Sequence, residues 1–92
     1  MNSTVSNILD ERGQRYGNYL EQTKITTALL QVIDGTLRDR RKTLEADQAD
    51  ALNMIAVKIS RILNGDPDYA DNWRDIAGYA TLVAERLEGK SR

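Results

Sequence analysis

Three observations predict an all-α chain. Apolar residues recur at three- and four-residue spacing through three long stretches, helix-stopping residues separate those stretches, and no run alternates with the period of two that a half-buried strand requires. The expectation is one domain over residues 1–92, a compact bundle of three long helices plus a short N-terminal helix.

The short helix starts at a cap on Ser3 or Thr4, sets Val5, Ile8 and Leu9 on one side, and is predicted to stop at Gly13. The segment from Glu11 to Tyr19 is dense in Gly, Arg and Tyr and reads as a connector. From Leu20 to Arg38, Ile25, Ala28, Leu29, Val32 and Ile33 share one arc, with Lys24, Gln31, Asp34 and Arg38 opposite. A connection near residues 41–46 follows. The next helix starts near Glu45–Asp47 and stops at Asn64-Gly65. Asp66-Pro67-Asp68 makes a turn, with Asp68 expected to cap the last helix, about Tyr69 to Glu88.

Composition excludes much chemistry. Without Cys or His there is no disulfide, thiolate metal site, nucleophilic thiol or imidazole base. Thirteen basic and fourteen acidic residues leave no cationic bias of the kind a duplex-DNA binder uses. No apolar run approaches the roughly 20 residues that span a bilayer, and the N-terminus lacks the pattern of a secretory signal. A cytoplasmic protein without membrane contact is expected. A short chain also buries a smaller fraction of its surface than a long one, about 60–65% here, so a homo-oligomer is expected.

The informative stretch is Ala51 to Tyr79. Lys58 and Arg61 lie one turn apart on its first helix, and Asn72, Asp75 and Tyr79 follow helical spacing on its second. Cations for a phosphate and rings for a base are what a nucleotide pocket needs. The candidate ligand residues are therefore Lys58 and Arg61 for phosphate, Arg15 as a loop clamp, Tyr16 and Tyr79 for base or ribose, Asp75 to orient the cations or accept from ribose, and Asn18 beside them. Tyr19 and Trp73 are further candidate stacking faces. The competing structural reading pairs Asp75 with Lys58 or Arg61 across the helix interface, which fixes register and adds little stability. Neither a catalytic residue nor a resident cofactor is expected. Mg²⁺ enters only under an alternative reading, with oxygen ligands drawn from Glu45, Asp47, Asp50, Asn72 and Asp75.

Taken together, ILDERGQRYGNY and ALNMIAVKISRILNGDPDYADNWRDIAGYATLVAERL resemble a family of small proteins of unknown function from tailed phages and prophages. That family is marked by a YG-[DN]-[FY] segment, an A-L-x-M-I-x-x-K-I-x-R-I-L-N-G-D-P helix and a D-I-A-G-Y-A helix. More distantly, the chain is similar to nucleotide-modification-associated helical domains and to the all-α MazG-like nucleoside triphosphate pyrophosphatases. The latter hold Mg²⁺ with a Glu-Glu-x-x-Glu cluster and a later Glu-x-x-Asp pair. Here Asn72 to Asp75 would occupy the later motif, while Asn53, Val57, Lys58 and Arg61 stand where the cluster belongs. The expected function is thus a phage-type protein in the host cytoplasm that binds a nucleotide, such as an immune signal, without turning it over. A Mg²⁺-dependent pyrophosphohydrolase and an inhibitor of a host protein are the alternatives.

Overall fold

The computed structural model describes residues 3–90, and among them the chain forms four helices and no strand. They are α1 (Ser3–Tyr16), α2 (Tyr19–Asp39), α3 (Ala46–Asn64) and α4 (Ala70–Leu87). The all-α fold predicted from the periodicity is the one observed. Among the described residues no helix is long and apolar enough to cross a membrane.

Two boundaries differ from expectation. α1 continues through Gly13 and stops three residues later, because a glycine inside a helix costs only about 1 kcal/mol. The stop is Gly17, whose φ of +79° suits a residue without Cβ and whose N–H closes onto the Gly13 carbonyl at 2.9 Å. Thr4 lies inside α1, and the Ser3 side chain is outside the described residues. At the other end of the chain the N-cap of α4 is Tyr69, not Asp68. The Asp66 carboxylate instead takes the Asp68 N–H at 2.9 Å, and the Trp73 indole folds back to donate to the Pro67 carbonyl at 2.8 Å. Both bonds tie down the turn, and Trp73 is left half exposed.

α3 is the axis of the molecule. α2 and α4 pack on it and not on each other. Small residues let α2 come close: Ala56 and Ser60 are buried, Thr26 donates to Ser60 Oγ at 2.7 Å, and Ser60 donates to the Ala56 carbonyl at 2.7 Å. On the opposite flank, ions join α3 to α4. Arg86 donates Nε to Asp47 Oδ2 at 2.8 Å and lies 3.1 Å from Glu45 Oε2, while Lys58 Nζ sits 3.0 Å from Asp75 Oδ2. The Asp47 carboxyl is held below the usual carboxylate range, chiefly by the hydrogen bond from Arg86. The basic run Arg38 to Lys42 is exposed to solvent, as expected for cations closing a helix.

Candidate functional site

The site is built where the two glycine turns meet. Gly17, between α1 and α2, passes so close to the end of α3 that a Cβ there would collide with the Asn64 carbonyl. Gly65 meets the backbone of Arg15 and Tyr16 in the same way. Asn64 Nδ2 donates to the carbonyls of Tyr16 and Asn18, both at 2.9 Å, and the Asp66 N–H donates to the Arg15 carbonyl at 2.8 Å. The YGNY and LNGDP segments are therefore one interlocked joint. It fixes the last turn of α1 over the C-terminal half of α3.

That joint aligns a row of alternating cations and rings. The Arg15 guanidinium lies 4.5 Å from the centroid of Tyr69, Tyr69 meets Tyr16 edge-on at 6.2 Å, and Arg61 lies 4.2 Å over Tyr16. Cation–π contacts of this kind contribute about 0.5–2 kcal/mol each. Tyr69 also donates its hydroxyl to Asp71 at 2.9 Å, which raises the phenol's pKa.

Beside Arg61 opens a cavity of about 480 Å³, within the size range of small-ligand pockets. Its walls include Arg12, Tyr16, Asn18, Tyr19, Gln22 and Arg61, and among the described residues no acid. Among the described residues neither Arg12 nor Arg61 forms an ion pair. The Nε of Arg61 is buried with no hydrogen-bond partner. A buried donor on a cation, left unsatisfied, costs more than one exposed to water. Gln22, almost fully buried, presents an amide to the same space.

The candidates read from the sequence divide accordingly. Tyr16, Asn18 and Arg61 come together at the cavity. Asn18 also has a structural task, since its side chain caps α2 by accepting the Glu21 N–H at 3.2 Å. Arg15 turns away to Tyr69 and lies in the last turn of a helix. Lys58 is buried against Asp75, which is the structural pairing, and neither lines the cavity. Tyr79 belongs to a separate hollow with Asp50 and Arg86. Arg12 and Gln22 carried no ligand role in the sequence reading. Their signal was helical spacing: Gln22 lies four residues past Asn18 at the start of α2, and Arg12 four before Tyr16, the second visible only once α1 runs past Gly13.

The acids that would serve Mg²⁺ are dispersed or engaged. Glu45 and Asp47 hold Arg86, Asp75 holds Lys58, and among the described residues no group of three acids is placed to share a metal ion.

Fold and site together define a small all-α protein with one basic, aromatic-walled cavity at a glycine joint. The chain belongs to the family described as a domain of unknown function, DUF6378, whose sequence profile matches residues 1–87. No curated protein and no solved structure matches it.

Proposed function

We propose that the protein binds a phosphate-bearing nucleotide in the cavity between α1, α2 and α3, and holds it without turnover. The observation that carries this reading is Arg61. Its guanidinium is pre-positioned on Tyr16, and among the described residues its Nε has no partner and the cavity wall beside it has a second arginine and no carboxylate. A planar guanidinium is suited to bidentate phosphate contact. Tyr19, strongly exposed at the rim, supplies a ring on which a base can stack, and the buried Gln22 amide supplies a donor and an acceptor for its edge. In a phage-type protein, retention would withdraw a nucleotide signal from the host cytoplasm.

The test is a thermal-shift and calorimetric screen of nucleoside mono-, di- and triphosphates and cyclic dinucleotides, with and without Mg²⁺. A ligand at 100 times its Kd adds about 2.7 kcal/mol, a rise in Tm of roughly 10–20 °C for a domain this size. Chromatography of the same mixtures should return the nucleotide intact. Flat curves across the panel at millimolar ligand would refute the reading, and release of a hydrolysed product would replace it with the enzymatic one.

A further inference from the structure

The three long helices form a layer with one apolar face, and we propose that this face is where two copies of the chain pack together. Along α3, Lys58 meets α4 and Ser60 meets α2, so the two neighbours lie on opposite sides, about 160° apart. Ile59, between them in sequence, points to one open face, and Leu52, Ile55 and Leu63 share it. The bonds Lys58 to Asp75 and Asp47 to Arg86 run α4 antiparallel to α3, which turns Ala80 and Leu87 to the same side. The equivalent residues of α2 are Leu29 and Val32. An apolar groove of about 330 Å³, lined by Leu52, Ile55, Ala80 and Val83, runs down the middle.

The occupant follows from surface area and from what the core lacks. The chain exposes 6767 Å², against about 5,400 Å² for a typical folded monomer of its mass. The excess, about 1,400 Å², falls in the range each subunit of an obligate homodimer hides. Among the described residues only two apolar ones, Ala51 and Ala56, are buried within one chain, while Val32, Leu63 and Leu87 are each more than half exposed. A second copy offers the matching apolar layer, and a net charge of −1 sets no repulsion against it. Arg61 points about 160° away from Ile59, so pairing leaves the cavity open. This inference stands independently of what the cavity binds.

Sedimentation equilibrium and light scattering on the full chain test it. Wild type should weigh twice 10.4 kDa across the micromolar range. Val32→Lys, at a position already exposed in the single chain, should halve that mass while keeping its helical circular dichroism. Leu82→Lys, on the other side of α4, should leave the mass unchanged. A monomeric wild type at 100 µM overturns the proposal and points to a different partner for the face. An assembly that Val32→Lys leaves intact, or that Leu82→Lys disrupts instead, overturns it as well.

Discussion

Gly17 and Gly65, forty-eight residues apart in sequence, back onto each other's chain so closely that neither has room for a methyl group. The contact joins the turn after α1 to the end of α3, and it makes both glycines steric requirements. Gly17→Ala must also hold φ near +79°, which alone costs about 1–2 kcal/mol before the overlap with Asn64 is counted. The expected outcome in thermal melts is a loss of more than about 8 °C for either substitution, since 1 kcal/mol corresponds to roughly 4–8 °C. Gly78→Ala is the opposite case. A Cβ there meets nothing within 4 Å, so Ala in mid-α4 should raise stability by about 0.5–1 kcal/mol.

Asn64 holds the joint by donation. Its Nδ2 serves two carbonyls at once, so Asn64→Asp replaces both donors with a negative charge facing oxygen lone pairs. A loss of about 2–3 kcal/mol is expected in urea melts. A serine there keeps one donor and should cost less. Equal effects of the two substitutions would show that the amide matters only for its shape.

The buried pair between α3 and α4 predicts an asymmetry. Lys58 is nearly buried, whereas Asp75 is about half exposed. Removing the lysine frees a carboxylate that water can reach, and Lys58→Met should change stability by less than about 1 kcal/mol. Removing the acid strands the ammonium, so Asp75→Asn should cost about 1–3 kcal/mol. Urea denaturation of the two variants reads the difference directly. A larger effect at Lys58 would reverse the assignment of which partner depends on the other.

How much of this was legible in the sequence depends on what each feature needs. Helix spans follow from local periodicity, and so do the stop at Gly65 and the water-facing run from Arg38 to Lys42. The alternative pairing of Lys58 with Asp75 was also visible, as two residues on facing stripes. The direction of Arg61 was not. It lies one turn from Lys58, yet that step moves it around α3 from the α4 side to the α1 side, and only the glycine joint brings α1 there. Taking Gly13 as a stop hid Arg12 in an imagined loop, when a glycine four residues on was the one with the left-handed backbone.

Asp47 gives the pH dependence. Its folded pKa lies below the ordinary value because Arg86 hydrogen-bonds and attracts its charged form. A depressed carboxyl pKa contributes stability that is present above the unfolded pKa, near 4, and is lost as pH falls through the lower folded value. Melting temperature should therefore drop as pH falls below about 4. Asp47→Asn should remove part of that acid-side slope and lower stability at neutral pH. An unchanged slope in the variant would assign acid sensitivity to other carboxylates.

Arg61 separates a ligand-binding role from a structural one. Its charge has no carboxylate partner among the described residues, so Arg61→Ala should lose only packing and one cation–π contact, a small cost to the unliganded protein. Affinity for the nucleotide should fall much further, by about 10- to 100-fold for a lost guanidinium–phosphate contact, equivalent to about 1.4–2.8 kcal/mol. Arg61→Lys keeps the charge but not the fork or the flat stack on Tyr16, and recovers only part of the loss. Arg12→Ala, at the open rim, should weaken binding less and reduce its dependence on salt. The measurement is isothermal titration of wild type and the three variants at two ionic strengths, beside melts without ligand. If Arg61→Ala destabilises the free protein as much as it weakens binding, the arginine is there to hold α1 against α3, and the cavity loses its ligand.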